Sequence, residues 1–347
     1  MRHHRNKPTE GAFQRTMTMT IAIIGAGMAG IACARVLHEA GYAVNIFDKA
    51  RGPSGRMASR RHELGICDHG AKYFTARDPG FRQQVEQWRQ HGAVSAWQGR
   101  IDVWENGSIT ANNDHIQRFI GTPRMSACLR HASSDLPVRV GLRITALQQD
   151  DDLAWWCYDH QDGKHGPYSL VLGAIPAPQA AELLPRQHPF QGALAEVRMA
   201  PCWAVMLWLD AEVATSWDAL RLKNHPVLDW ISCEHRRPGR GGEPRVVLHA
   251  NPEWSQEHVE DDPESVTVAL RSAFSEIIQA PCNPVAQSAH RWRYARSVDC
   301  LGKPCLFDPA SGVGLAGDWC LDARIEAAWL SGTALGLIAS QHTGALS

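Results

Sequence analysis

The chain has 347 residues, 44% of them hydrophobic, with 35 Lys+Arg against 36 Asp+Glu and a formal net charge of −1. That length holds two domains or one large interleaved unit, and the even charge leaves no basic excess for nucleic acid and no acidic tail. No apolar run approaches the ~20 residues that span a bilayer. The ten cysteines contain no CxxC pair, the usage of a reduced, cytoplasmic protein. The 17 histidines form neither HxxxH nor HExxH, so no metal site is expected.

Residues 1–18 are polar, basic and without periodicity, and are expected to be a disordered extension ahead of the fold. Ile21 to Ile24 is a short apolar run, as in a parallel strand buried on both faces. Gly25-Ala26-Gly27-Met28-Ala29-Gly30 follows at once. Gly25 permits a tight turn, Gly27 lets a diphosphate approach the backbone, and Gly30 lets the next helix pack on the strand. That helix would aim its free N–H groups at the diphosphate. Ala43 to Phe47 is the second strand, ended by Asp48, a carboxylate placed for an adenosine ribose. The turn from Lys49 to Met57 carries Arg51, Gly55 and Arg56. Its arginines suit phosphate, with a solvated basic loop as the alternative.

Asp68-His69-Gly70 is a turn signal, and Tyr73-Phe74 follows. Pro79 to Trp97 reads as a helix with Phe81, Val85 and Trp88 on one face. Val103 to Ile109 reads as a hairpin about Asn106-Gly107, and Met125 to His131 as a helix. Val138 to Val140 is a short strand leading to Ile144, with Gln148 to Asp152 polar. Tyr168 to Ile175 is another buried parallel strand, followed by a helix from Gln179 to Leu184. Cys202 to Leu209, Leu228 to Ser232 and Val246 to Ala250 read as strands, His235 to Pro244 as an exposed loop, and Pro263 to Ile278 as an amphipathic helix. Val313 to Leu315 then returns to the buried-strand pattern before Gly317-Asp318. A final helix from Ile325 carries Gly332 and Gly336 for close packing.

The fold class expected is therefore α/β. A Rossmann-like domain of three layers with a mainly parallel sheet takes residues 19–80, 138–180 and 290–347. An inserted α+β domain with a mostly antiparallel sheet takes 81–137 and 181–289. Thirteen tryptophans against five tyrosines are expected to be mostly core, a few lining a pocket for a flat ligand.

The glycine turn with Asp48, the Arg51 to Arg56 turn and the late Gly317-Asp318 together resemble the FAD-dependent amine-oxidase-like superfamily. The chain is more closely similar to its renalase family in the bacterial form. The residues that carry this are Gly55-Arg56-Met57-Ala58-Ser59-Arg60-Arg61, Asp68 to Thr75, His290-Arg291-Trp292-Arg293-Tyr294-Ala295 and Gly317-Asp318-Trp319-Cys320-Leu321. The resemblance spans most of Ile21 to Ser340. The glycine pair usual in the second turn is here Ser54-Gly55.

The resemblance implies a noncovalent FAD. Gly25, Gly27, Met28, Ala29, Gly30 and Arg56 would meet its diphosphate, with Lys49, Arg51, Gly55 and Met57 beside them. Asp48 would take the adenosine ribose, Ile144 the adenine, Asp318 the ribityl or diphosphate part, and the helix at Ile325 the flavin pyrimidine edge. It also implies oxidation of isomeric dihydro-NAD(P), the 2- or 6-dihydro forms, to NAD(P)+ by hydride transfer to flavin N5, with O2 taken to H2O2. Such chemistry rests on stacking geometry and obliges no acid–base residue. Tyr73 and Phe74 are candidates for the flavin wall or ordinary core. His290, Arg291 and Trp292 are candidates for the substrate side or a basic strand on a solvated face. An FAD-dependent amine oxidase and a flavin-binding protein without turnover are the alternatives.

Overall fold

Two sheets dominate a computed structural model that describes residues 19–346; the expected extension at 1–18 lies outside them. The first sheet has six strands in the order Leu306–Asp308, Val313–Leu315, Leu170–Gly173, Thr20–Ile24, Ala43–Asp48 and Val138–Val140. All neighbours are parallel except Leu306–Asp308 against Val313–Leu315. Side chains alternate across a strand. Ile21 and Ile23 therefore enter one apolar core with Ala29, Ala34 and Leu335 of the helices Met28–Glu39 and Ile325–Leu346. Ala22 and Ile24 enter another, with Trp155, Tyr168 and Leu194. Gly332 sets the helix spacing, because a Cβ there would sit 2.0 Å from the Ala29 carbonyl oxygen.

The third layer departs from expectation. Gln148 and Gln149, read as polar connection, belong to the strand Ile144–Gln149, which pairs with Trp155–Asp159 and then Lys164–Tyr168. One face of this small sheet meets water, which is why its sequence looks loop-like. Asp150 closes the first hairpin by accepting from the Asp152 and Ala154 amides at 3.1 and 2.9 Å.

The second sheet has seven strands in the order Pro284–Asp299, Arg198–Leu209, Arg245–Ala250, Leu228–Cys233, Ala219–Lys223, Ile101–Glu105 and Ser108–Ala111. It is antiparallel except where Ala219–Lys223 meets Ile101–Glu105. One face packs Val205, Leu207 and Leu248 against Val266, Leu270 and Phe274 of the helix Pro263–Ile278. The other face turns toward the glycine-turn half of the molecule. His290 to Ala295, placed by sequence with the parallel sheet, lie instead on the long strand Pro284–Asp299, which pairs with Arg198–Leu209 and bulges at Arg293 to Ala295.

Two helix ends also shift. The helix begun at Pro79 stops at Gln90, and Gly92 at φ +70 turns the chain into the strand Val94–Ala96. Its expected face of Phe81, Val85 and Trp88 is buried. The helix expected at Gln179–Leu184 is Ala177–Leu183. The hairpin about Asn106-Gly107 forms as expected, both residues at positive φ. Among the described residues no helix is long and apolar enough to cross a membrane.

Candidate functional site

The glycine turn leaves the end of Thr20–Ile24 at the carboxyl edge of the parallel sheet, where such folds bind ligands. Gly25 has φ +105, and a Cβ on it would lie 2.4 Å from the Ala174 carbonyl oxygen, so only glycine fits. A Cβ on Gly30 would lie 1.9 Å from the Gly25 oxygen. Gly27 is open: a Cβ there would meet only the Gly55 Cα, at 3.7 Å. The helix Met28–Glu39 has no acidic residue in its first turn, so its positive end is unneutralised.

Asp48 does more than the spacing shows. It is buried, and its two oxygens accept from the Ala26 and Ala50 amides, each at 2.7 Å. It thus ties the glycine turn to the end of the second strand. Each carboxylate oxygen can accept twice, so the group keeps capacity for a ligand hydroxyl.

Arg56 is not a free phosphate ligand. Its guanidinium forks onto Asp318, 262 residues away in sequence, at 2.8 and 2.5 Å, and also reaches the Ala295 carbonyl at 3.3 Å. The pair joins the second turn to the Asp318–Cys320 turn before the last helix. That helix starts at Ile325. Its buried Glu326 accepts from the Arg77 and Asp78 amides at 2.5 and 2.6 Å, drawing the segment after Thr75 toward the same edge.

Across the opening stands the antiparallel sheet. In its register Ala204 faces His290 and Cys202 faces Trp292, so His290 and Trp292 share the face turned to the parallel sheet. The Trp292 indole donates to the His69 carbonyl at 2.8 Å, and the two rings stack with centroids 5.3 Å apart. His290 stands edge-on to both, at 4.8 and 4.4 Å. His249 Nε2 donates to the same His69 carbonyl at 3.2 Å. Burial lowers all three imidazoles, His69 and His249 to about 3 and His290 to about 4, so all are neutral at pH 7.

Arg291 lies on the other parity and serves another purpose. Its guanidinium packs over Trp203 and, with Arg293, pairs with Glu260 at 2.9 and 2.6 Å. Tyr73 and Phe74 divide in the same way. Phe74 stacks on Phe119 and packs on Phe81 in the core. The Tyr73 hydroxyl accepts from Arg221 at 3.0 Å, and its ring lies near Trp97 and Trp230.

All of these elements line one open cavity of about 1850 Å³. Every site residue expected from sequence lies on its wall except Gly30, which is buried beneath the turn. Sequence reasoning did not find Lys72, which pairs with Asp229 beside Trp230, nor His249. A polar residue at an inward position of an apolar strand was the available signal in both LeuAspTrpIle and ValLeuHisAla.

The expected exposed loop at His235 to Pro244 is corrected. Arg237 and Arg240 have wholly buried side chains, gathered with Glu234 on Asp68. Asp68 also accepts from Ser59 Oγ at 2.6 Å and from the Met125 amide at 3.0 Å. Burial alone would raise its carboxyl; Arg240 and Arg237 reverse this and hold it below the ordinary value. Burial raises Glu234, and Arg237 offsets that only in part. Only the tip at Gly239 and Gly241 to Glu243 is exposed.

Comparison with known proteins agrees with this architecture. Residues 23–88 match the family described as an NAD(P)-binding Rossmann-like domain. The whole fold is similar to that of a protein from Exiguobacterium sp. 255-15 assigned as a protoporphyrinogen oxidase, with TM-score 0.74 and 12% identity, covering 93% of this chain and 99% of that one. It is similar to cyclohexylamine oxidase from Brevibacterium oxydans, with TM-score 0.71 and 11% identity over 94% and 100% of the two chains. A putrescine oxidase variant matches at TM-score 0.68 and 10% identity over 95% and 99%. At such identities the likeness is one of fold.

Proposed function

We propose that the protein is an FAD-dependent oxidase of the renalase type, taking 2- or 6-dihydro-NAD(P) to NAD(P)+. The observation that carries this reading is the charge of the cavity. Fifteen lysines and arginines line it against four carboxylates, in a chain whose net charge is −1. A cavity of one sign concentrates ligands of the other. Its volume of about 1850 Å³ is also roughly twice the upper range of an ordinary small-molecule pocket, room for a cofactor and a second dinucleotide. An amine substrate is a cation at pH 7 and meets this field as repulsion.

The cradle suits FAD. The open approach at Gly27, the unneutralised helix end at Met28 and the spare acceptor capacity of Asp48 would hold an adenine dinucleotide. Cys320 is buried and absent from the cavity wall, and burial pushes its thiol up to about 12, which favours noncovalent binding. FAD held there would supply, at N5, the acceptor for the substrate hydride and the route for its electrons to O2, with H2O2 as the second product.

The chain's own part is positioning. A dihydropyridine that loses hydride becomes an aromatic cation, so no proton leaves the substrate and no base is required. The neutral His69, His249 and His290 agree with a site that moves no proton from the substrate. The stacked His69 and Trp292 rings and the braced Tyr73 give flat surfaces against which a planar ring is oriented.

The names of two fold neighbours favour a second reading, an amine oxidase. Steady-state H2O2 release separates the two. Turnover is expected with 2- or 6-dihydro-NAD(P), falling as ionic strength rises. Turnover with putrescine or cyclohexylamine and none with either dihydronicotinamide isomer overturns the proposal.

A further inference from the structure

The charges on the cavity wall are unevenly satisfied. Arg56, Lys72, Arg291, Arg293 and Arg324 have carboxylate partners. Arg61, Arg124 and Arg130 have none within 4.0 Å among the described residues, and none of their guanidinium groups makes a hydrogen bond there. The fold nevertheless brings them together. Ser59, two residues before Arg61, and Met125, next to Arg124, are hooked to the same Asp68 oxygen. Arg130 lies one helical turn further on, and its Nη2 sits 2.9 Å from where a Cβ on Gly52 would be. Asp68 is the carboxylate whose charge reaches Arg124, and Arg240, Arg237, Ser59 and the Met125 amide already claim it. Burial, then Arg130 and Arg61, lower the Arg124 guanidinium, and the opposing pull of Asp68 only partly offsets them, as expected of cations held close with too little negative charge beside them.

A second observation points to a ligand. Ser126 is only 5% exposed, lies on the cavity wall, and its hydroxyl makes no hydrogen bond among the described residues. Its oxygen is open to the cavity, so the hydroxyl is free to donate to a ligand there.

We propose that Arg61, Arg124 and Arg130, with the Ser126 hydroxyl, form a second anion site that takes a phosphomonoester, so that the enzyme selects the 2′-phosphorylated form of its dinucleotide substrate. This rests on the reading of the substrate given above. The group is a phosphomonoester because it alone brings close to two negative charges and three acceptor oxygens on one phosphorus. Guanidinium forks match that group, and the hydroxyl donates to its remaining oxygen. A diphosphate already has its place at the glycine turn, where helix amides face it. Gly52, lacking a Cβ, leaves room for the Arg130 guanidinium against the second turn.

The test uses the flavin-loaded enzyme, with R124Q, R130Q and S126A beside the wild type. Calorimetry compares 2′-phospho-ADP-ribose with ADP-ribose, neither of which has a nicotinamide, and turnover compares dihydro-NADP with dihydro-NAD of the same isomer. The wild type is expected to favour the phosphorylated partner in both. Each arginine variant should lose about tenfold of that preference, the range for a charged hydrogen bond, and S126A a smaller part. Inorganic phosphate should compete with 2′-phospho-ADP-ribose and spare ADP-ribose. Equal wild-type affinity for the two ligands overturns the site, as does an unchanged preference in S126A and both arginine variants. Arginine variants that purify without flavin overturn it too, because the cluster would then belong to the cofactor. A wild type that oxidises no dihydronicotinamide but still binds the phosphorylated ligand more tightly supports the site and refutes the substrate reading alone.

Discussion

The Arg56–Asp318 pair gives an asymmetric prediction. Asp318 has 7% of its side chain exposed and Arg56 31%. In R56A the carboxylate stays buried with only the Ser297 hydroxyl, at 3.4 Å, as a side-chain donor. Breaking a buried pair costs about 3–5 kcal/mol, and the partly solvated arginine places this one near the low end, about 3 kcal/mol. In D318A the stranded group is the guanidinium, which turns to water, so the loss is nearer that of ordinary hydrogen bonds, about 1–1.5 kcal/mol. R56A should therefore be clearly the less stable, and the double variant should cost about 1–2 kcal/mol less than the two single losses together. Urea unfolding of flavin-depleted protein, followed by far-UV circular dichroism, measures each. The same titrations with saturating FAD report the weakened cofactor binding expected in both. If R56A costs no more than D318A, or the losses simply add, the pair is not the tie between the second turn and the last helix described above.

Three more outcomes follow from the structure. His69, His249 and His290 are held neutral by burial, with folded values of about 3, 3 and 4. The unfolded chain takes these protons first, near the ordinary histidine value of about 6.5. The stability is therefore whole above that pH and falls as pH drops toward 4, by up to about 1.4 kcal/mol per pH unit for each histidine. Urea midpoints at pH 7, 6 and 5 should show the decline, shallower in H249N; a flat profile contradicts it. Gly30→Ala drives a Cβ to 1.9 Å from the Gly25 oxygen, and a backbone atom cannot step aside. A loss of about 3 kcal/mol and of bound flavin is expected, and a variant that melts like the wild type refutes that packing. Cys320→Ala should purify with full flavin, and acid should release the flavin from both proteins. Yellow precipitate from the wild type alone would mean a covalent link.

What the sequence disclosed was local. The glycine turn shows in a run of six residues, and Gly30 is required by a backbone contact five residues back, at the Gly25 oxygen. The buried strands are unbroken apolar runs because both faces are covered. What it hid depended on pairings far apart. Arg240 reads as loop charge until Asp68, 172 residues earlier, is placed against it. Arg291 looks like a companion of His290 and Trp292 until strand alternation sends it to Glu260. Lys72 and Asp229 are 157 residues apart, and nothing local marks either as a partner of the other. Asp48 was found for a ligand and proves also to brace the turn that would hold it.

The most direct measurement is a single anaerobic mixing experiment on the flavin-loaded protein. With 2- or 6-dihydro-NAD(P), the oxidised flavin absorbance should bleach within seconds, leave NAD(P)+ in equal amount, and return when O2 is admitted with release of H2O2. A flavin that stays oxidised with every dihydronicotinamide isomer, yet bleaches with a primary amine or polyamine, would contradict the account.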